Sequence, residues 1–214
     1  MDTQDKQIFC FAGPNGAGKS STISEFIELK ICPDYYICPD LLLEPEQKNI
    51  KDEYIKAMEQ AEWLRKDAVE NGRSMTFETV FSTRGKLDFI RYAKGRDYSV
   101  STIYITTSNP EINIKRVRKR VSEGGHSVPE DKIVSRYEKC MRLMPEALIA
   151  SDSASVYDNS IDDERPRLVI VKTDGCFEII RDYLNLEWVR KYLVYPLTDL
   201  DCKITIIKDF KSDR

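Results

Sequence analysis

An α/β fold with a mainly parallel sheet flanked by helices is what this sequence predicts, and three observations predict it. Strand-length apolar runs alternate with helix-length stripes along the chain. The first run, Ile8 to Ala12, leads straight into Gly13-Pro14-Asn15-Gly16-Ala17-Gly18-Lys19-Ser20, which fits G-x-x-x-x-G-K-[ST] at every fixed position and opens a helical pattern from Ser20 to Lys30. The length, 214 residues, suits one sizeable domain over 1–214 rather than two. The loop narrows the class to the P-loop NTPase type. Its glycines let backbone N–H groups turn inward around phosphate oxygens, and the helix behind it aims its positive end at the same anion. Gly13 to Ser21 is therefore the expected nucleotide-binding segment. Lys19 is placed on the β/γ-phosphates and the Ser20 hydroxyl on Mg²⁺.

The remaining elements follow in order. Tyr35 to Cys38 is a short second strand ending at Pro39-Asp40. A long helix is expected from Pro45 to Glu70, stopped by Asn71-Gly72. Ser74 to Thr79 is the third strand, and Thr83 is the expected N-cap of a helix to Lys94. Tyr98 to Thr106 is the fourth strand. Two helices, from Asn109-Pro110 to Glu123 and from Ser127 to Ala150, flank Gly124-Gly125 and form an expected arginine-bearing lid over about 109–150, with Pro145 a place for a bend. Ser153 to Tyr157 is the fifth strand. Leu168–Val171 and Phe177–Ile180 make a C-terminal β-hairpin turned at Asp174-Gly175, and a short helix over 187–193 closes that unit at about 167–195. The alternation over 201–210 reads as one more strand, with no partner assignable.

Composition excludes several function classes. The formal net charge of −3 argues against a dedicated nucleic-acid binder. No apolar run has the length of a membrane span, and the polar start lacks a signal-peptide core, so a cytoplasmic protein is expected. Six scattered cysteines without a CxxC pair, and one histidine, argue for reduced thiols and against a zinc site.

Ligands of open α/β sheets bind beyond the carboxyl ends of the strands, which turns sequence positions into a candidate site. Asp40, after the second strand, suits a general base for an acceptor hydroxyl; a helix N-cap or a solvated charge is the other reading. Glu78, in an apolar strand, needs a partner, and Mg²⁺ through water, a substrate hydroxyl or an arginine would serve. Arg116 and Arg120 share a helix face, and Arg136 follows beyond the glycines. They fit a lid that neutralises a transferred phosphoryl group, a solvated basic face, or a phosphate-binding patch. His126 fits a lid contact, a helix cap or an acid–base group. Tyr157, Asp158 and Asn159 either touch a nucleotide base or end a strand.

The ordered set Gly-Pro-Asn-Gly-Ala-Gly-Lys-Ser (13–20), Cys-Pro-Asp (38–40), Phe-Glu-Thr-Val-Phe-Ser (77–82), Arg-Val-Arg-Lys-Arg-Val-Ser-Glu-Gly-Gly-His-Ser-Val-Pro (116–129), Ile-Val-Ser-Arg-Tyr (133–137) and Tyr-Asp-Asn-Ser (157–160) resembles the zeta-toxin-like P-loop kinases, in their compact stand-alone branch. The resemblance runs from about residue 7 to residue 195. It implies an ATP- or GTP-dependent kinase using Mg²⁺, with a small-molecule hydroxyl as acceptor. UDP-N-acetylglucosamine is the acceptor of the better-understood members, and a separate antitoxin chain is the partner. By motif, Lys19, Asp40, Arg120 and Arg136 carry catalysis, and Ser20 and Glu78 face the metal. Asp40, Glu78, Thr79, Arg116 and His126 face the acceptor. One departure is visible: the family commonly has Asn two places before the base, where this chain has Cys38, which weakens inference about the acceptor. A nucleotide-driven switch and a polynucleotide kinase are the competing classes. The switch class lacks support, because no apolar run ending in Asp-Glu and no Asn-Lys-x-Asp element is present.

Overall fold

The computed structural model describes residues 6–48, 50–125 and 127–209. Its strands are β1 (Gln7–Ala12), β2 (Tyr36–Ile37), β3 (Met75–Thr79), β4 (Ser99–Thr106), β5 (Ser153–Asp158), β6 (Arg167–Thr173), β7 (Cys176–Ile180) and β8 (Lys203–Ile207). The longer helices are α1 (Lys19–Glu28), α2 (Lys51–Glu70), α3 (Gly85–Lys94), α4 (Pro110–Ser122) and α5 (Glu130–Ala150). All eight strands join one sheet in the order β2-β3-β1-β4-β5-β6-β7-β8. From β2 to β5 every pairing is parallel. β6 runs antiparallel to both β5 and β7, and β8 pairs parallel with β7.

The parallel half has both faces covered, and β1 shows why its sequence is nearly all apolar. Side chains of a strand alternate between faces. Ile8, Cys10 and Ala12 enter the larger core, with residues of α2, α3, α5 and the helical stretch 187–199. Phe11 faces the other way, onto Ile23 of α1 and Ile103 and Ile105 of β4. The Phe11 and Phe26 rings meet edge-on with centroids 5.3 Å apart.

Several expectations are corrected in detail. The helix expected from Pro45 is interrupted: Pro45–Gln47 is a separate 3₁₀ turn and α2 begins at Lys51. Local chemistry closes that turn, because the Gln47 Oε1 accepts the Glu44 N–H at 3.0 Å and completes a capping box. Thr83 is not the cap of α3; Arg84 holds that position, with its guanidinium on both oxygens of Glu146 in α5 at 2.6 and 2.7 Å. The second helix of the pair starts at Glu130, after Pro129, rather than at Ser127. Helix α5 continues through Pro145 to Ala150. The C-terminal helical stretch runs past residue 193 to Asp199, through a π turn at Arg190–Val194. The hairpin holds: Asp174 and Gly175 have φ of 50° and 75°, and Thr173 pairs with Cys176, as a two-residue turn of this hand requires. The late strand is β8, at the sheet edge.

Candidate active site at the carboxyl ends of the strands

The parallel strands deliver the loop 13–18 from β1, Asp40 after β2, Glu78 and Thr79 at the end of β3, and Asp158 at the end of β5 to one edge of the sheet. Close contacts leave no room for a side chain at the loop's glycines. A Cβ on Gly13 would lie 1.9 Å from the Ile105 carbonyl oxygen. Gly18 has φ of 94° and would press its Cβ to 2.4 Å from the Asn159 Nδ2.

Polar side chains from distant elements tie the loop in place. The Asn159 Nδ2 donates to the Ala17 carbonyl at 2.8 Å. The Asn113 Nδ2 donates to the Asn15 carbonyl at 2.6 Å, and the Asn113 Oδ1 accepts from the Thr107 hydroxyl. Asn113 is buried on α4 among Ile114 and Val117. Sequence reasoning missed it, since Asn113 lies on the same face as Arg116 and Arg120 and nothing local marks it as buried. Pro14 and Ala17 close a turn within the loop, the Ala17 N–H donating to the Pro14 carbonyl at 3.3 Å. Gly16 packs against the Asn113 backbone.

The Lys19 ammonium is buried inside the loop and donates to the carbonyls of Gly13 and Pro14 at 2.9 and 3.0 Å. Burial lowers its pKa, while the Glu78 charge opposes that shift and Arg120 adds to it. Ser20, exposed at the start of α1, donates its hydroxyl to the Glu78 Oε2 at 3.2 Å. Ser21 beside it is exposed. Ser20 and Glu78 thus present a hydroxyl and a carboxylate side by side, a hard oxygen pair that fits Mg²⁺.

Glu78 also receives the Cys38 thiol, Sγ to Oε1, at 3.3 Å. Asp40 stands on the 3₁₀ turn Pro39–Leu42, and among the described residues its buried Oδ1 has no hydrogen-bond partner. Donor atoms of Cys38, Asp40 and Glu78 all lie within 4.8 Å of one another. Two tyrosines that the sequence did not flag face this group. Tyr54, in the first turn of α2, has its pKa pushed up to about 12 by burial and then by the charge of Asp40, with Arg136 opposing the rise. Tyr36 is raised by burial and next by Glu78. Burial, then Glu78, pushes the Cys38 thiol up to about 12.

The predicted arginines divide. The Arg136 guanidinium, on α5, reaches the Asn15 Oδ1 at 3.4 Å, and the charge of Arg120, on α4, acts on Lys19. Arg116 goes instead to the loop after β5, donating to the Asp162 Oδ1 at 2.9 Å and the Asn159 carbonyl at 2.7 Å. Lys115, and then Arg116, hold the Asp162 carboxyl below its usual range. The Thr79 hydroxyl accepts the Phe81 N–H at 3.1 Å and so shapes the turn leaving β3. His126 lies outside the described residues. A separate cavity of about 600 Å³ opens between Asp158 and Ser160 on one side and Arg167, Tyr183 and Lys208 on the other, and includes none of Lys19, Asp40 or Glu78.

No family model matches the chain. An uncharacterised protein of Haemophilus influenzae is 29% identical over 137 residues, 63% of this chain and 94% of that one. Three solved structures share the architecture. The PezAT toxin–antitoxin system of Streptococcus pneumoniae matches with a TM-score of 0.54 at 20% identity, over 76% of this chain and 71% of that one. The AvrRxo1-ORF1:ORF2 complex with ATP matches at 0.64 and 17% identity, over 88% of this chain but only 63% of that one. A putative kinase from Chloroflexus aurantiacus matches at 0.55 and 12% identity, over 89% of this chain and all of that one. Among the described residues, no helix is long and apolar enough to cross a membrane. The mostly parallel eight-stranded sheet and the loop after β1 give the chain an α/β fold of the P-loop NTPase type, which these solved structures share.

Proposed function

We propose that the protein is a phosphotransferase that moves the γ-phosphoryl group of ATP or GTP to a hydroxyl of a small molecule. The observation that carries the reading is the Asp40 carboxylate, whose Oδ1 is buried and unpartnered among the described residues, beside the Glu78 carboxylate that accepts from Ser20. An acceptor hydroxyl is the partner such an oxygen lacks. Asp40 orients that hydroxyl and takes its proton as the acceptor oxygen bonds to phosphorus. The β–γ bridging oxygen keeps the electron pair of the bond it loses. Lys19 exchanges its two loop carbonyls for phosphate oxygens, and the loop N–H groups hold the β-phosphate. Arg120 and Arg136, on a lid over 109–150, neutralise charge that develops on the transferred group. Mg²⁺, held by Ser20 and Glu78, would supply further charge neutralisation on the phosphates.

UDP-N-acetylglucosamine is the first acceptor to test, on the strength of the sequence resemblance and the fold shared with the PezAT system. The same likeness makes a separate antitoxin chain the proposed partner. The test is to incubate the protein with Mg²⁺, labelled ATP or GTP and a panel of UDP-sugars, nucleosides and oligonucleotides. Labelling of a UDP-sugar is expected. Tight ATP binding with no labelled acceptor, or hydrolysis equally fast with and without acceptor, overturns the reading.

A further inference from the structure

We propose that Cys38, Asp40 and Glu78 form a site for a thiophilic divalent cation of the zinc class, separate in chemistry from the oxygen pair that suits Mg²⁺. Sheet register builds it. β2 and β3 pair Ile37 with Phe77, so the next residues, Cys38 and Glu78, emerge side by side. Asp40 follows on the 3₁₀ turn, and the three donor atoms lie within 4.8 Å of one another. One edge, held by the thiol–carboxylate hydrogen bond, is already near the length an ion requires. A tetrahedral ion with bonds of about 2.3 Å to sulfur and about 2.0 Å to oxygen separates those two atoms by about 3.5 Å. The Cys38 Sγ and Glu78 Oε1 are 3.3 Å apart.

A second observation points to a ligand here: on partly exposed Asp40, the Oδ1 is buried with no hydrogen-bond partner among the described residues. A cation satisfies it as well as a hydroxyl does. Sulfur selects the ion, because thiolate favours zinc-like metals and Mg²⁺ takes oxygen. Three protein ligands leave a fourth position open. Binding breaks the Cys38 S–H bond and sends the proton to solvent, while the sulfur electron pair bonds to the ion; nothing is oxidised or reduced. The isolated spacing of the cysteines cannot show this site, because its ligands come from two segments, the turn after β2 and the end of β3. Its consequence for activity rests on the proposed phosphotransfer. The ion takes Asp40 and so blocks the acceptor, and it shares Glu78 with the oxygen pair that suits Mg²⁺.

Titrating the full chain with Co²⁺ tests the site without an activity assay, with Zn²⁺ affinity measured by competition. The thiolate-to-cobalt charge-transfer band is expected in the wild type and absent from Cys38→Ser and Cys38→Asn. Zinc affinity is expected to fall about 100-fold or more in Asp40→Asn and Glu78→Gln, with each variant checked for folding by circular dichroism. No band in the wild type, a band retained in the cysteine variants, or unchanged affinity in both carboxylate variants overturns the proposal. Where the cysteine variants do not fold, the carboxylate variants decide it. A protein that shows the band with Co²⁺ but labels no acceptor when assayed with Mg²⁺ after removal of cobalt and zinc supports the cation site and overturns the phosphotransferase reading, so the two are distinguishable.

Discussion

The two sides of the proposed site differ in how their polar groups are satisfied. On the nucleotide side the loop is wired before any ligand arrives: Asn159 holds the Ala17 carbonyl, Asn113 holds that of Asn15, and the Lys19 ammonium rests on two carbonyls. On the acceptor side Asp40 keeps a buried oxygen without a partner, and Cys38 and Glu78 crowd beside it. The difference teaches which half the fold completes alone. A phosphate cradle works by being preorganised, so its hydrogen bonds serve folding and binding together. A base must keep a lone pair for its substrate, and a buried lone pair without a partner costs stability.

That contrast can be broken most sharply with Asp40→Asn against Lys19→Ala. The first is expected to lower transfer by about 10²- to 10⁴-fold with nucleotide affinity unchanged, and the second to weaken both. Nucleotide titration beside a labelled-transfer assay reads the split, and normal transfer by Asp40→Asn would remove it from the role of base. The Cys38 thiol offers the next largest effect. Its pKa moves from 9.0 to about 12 through burial and the Glu78 charge, so the thiolate at pH 8 is scarcer than in an ordinary cysteine by about three orders of magnitude. Iodoacetamide labelling of Cys38, followed by mass spectrometry, should therefore be slow at pH 8 and rise with pH through that range; fast labelling at pH 7 contradicts the burial.

Stability separates the two sides in opposite directions. Asn113→Ala leaves the Asn15 carbonyl short of its partner, while the Thr107 hydroxyl keeps the Asn109 carbonyl, and should cost about 1–3 kcal/mol in urea unfolding. Asp40→Asn should leave stability equal or raise it by up to about 1 kcal/mol. A loss at Asp40 as large as that at Asn113 would mean the acceptor side is as structural as the nucleotide side. The smallest effect is expected for Arg116→Ala, whose guanidinium is already engaged by Asp162 and Asn159. Transfer should change by less than about tenfold, and a larger fall would return Arg116 to the acceptor-contact role its motif suggests.

Local and distant chemistry divide what was legible. The hairpin turn at Asp174-Gly175 and the start of α4 at Asn109 were readable, since turn and cap preferences act within a few residues; the Asn109 side chain accepts the Glu111 N–H at 3.0 Å. The break at Pro45–Gln47 was not, because a capping box closed a turn inside what looked like one helical pattern. Tyr54 and Tyr36 gave no signal, being placed by the packing of α2 and β2 around Glu78.

By itself, then, the sequence determined the phosphate loop and the identity of the strand-terminal carboxylates. The loop needs only eight contiguous residues whose glycines permit the required backbone, and the alternation of strands and helices sends Asp40 and Glu78 to the same end of a parallel sheet. Tertiary structure alone decided which side chains those groups meet. Parallel register set Cys38 against Glu78, and the packing of α4 brought Asn113 to the loop. It also sent Arg116 to Asp162 rather than toward Asp40. Contacts between residues tens of positions apart depend on strand pairing and helix packing, and local residue preferences do not encode them.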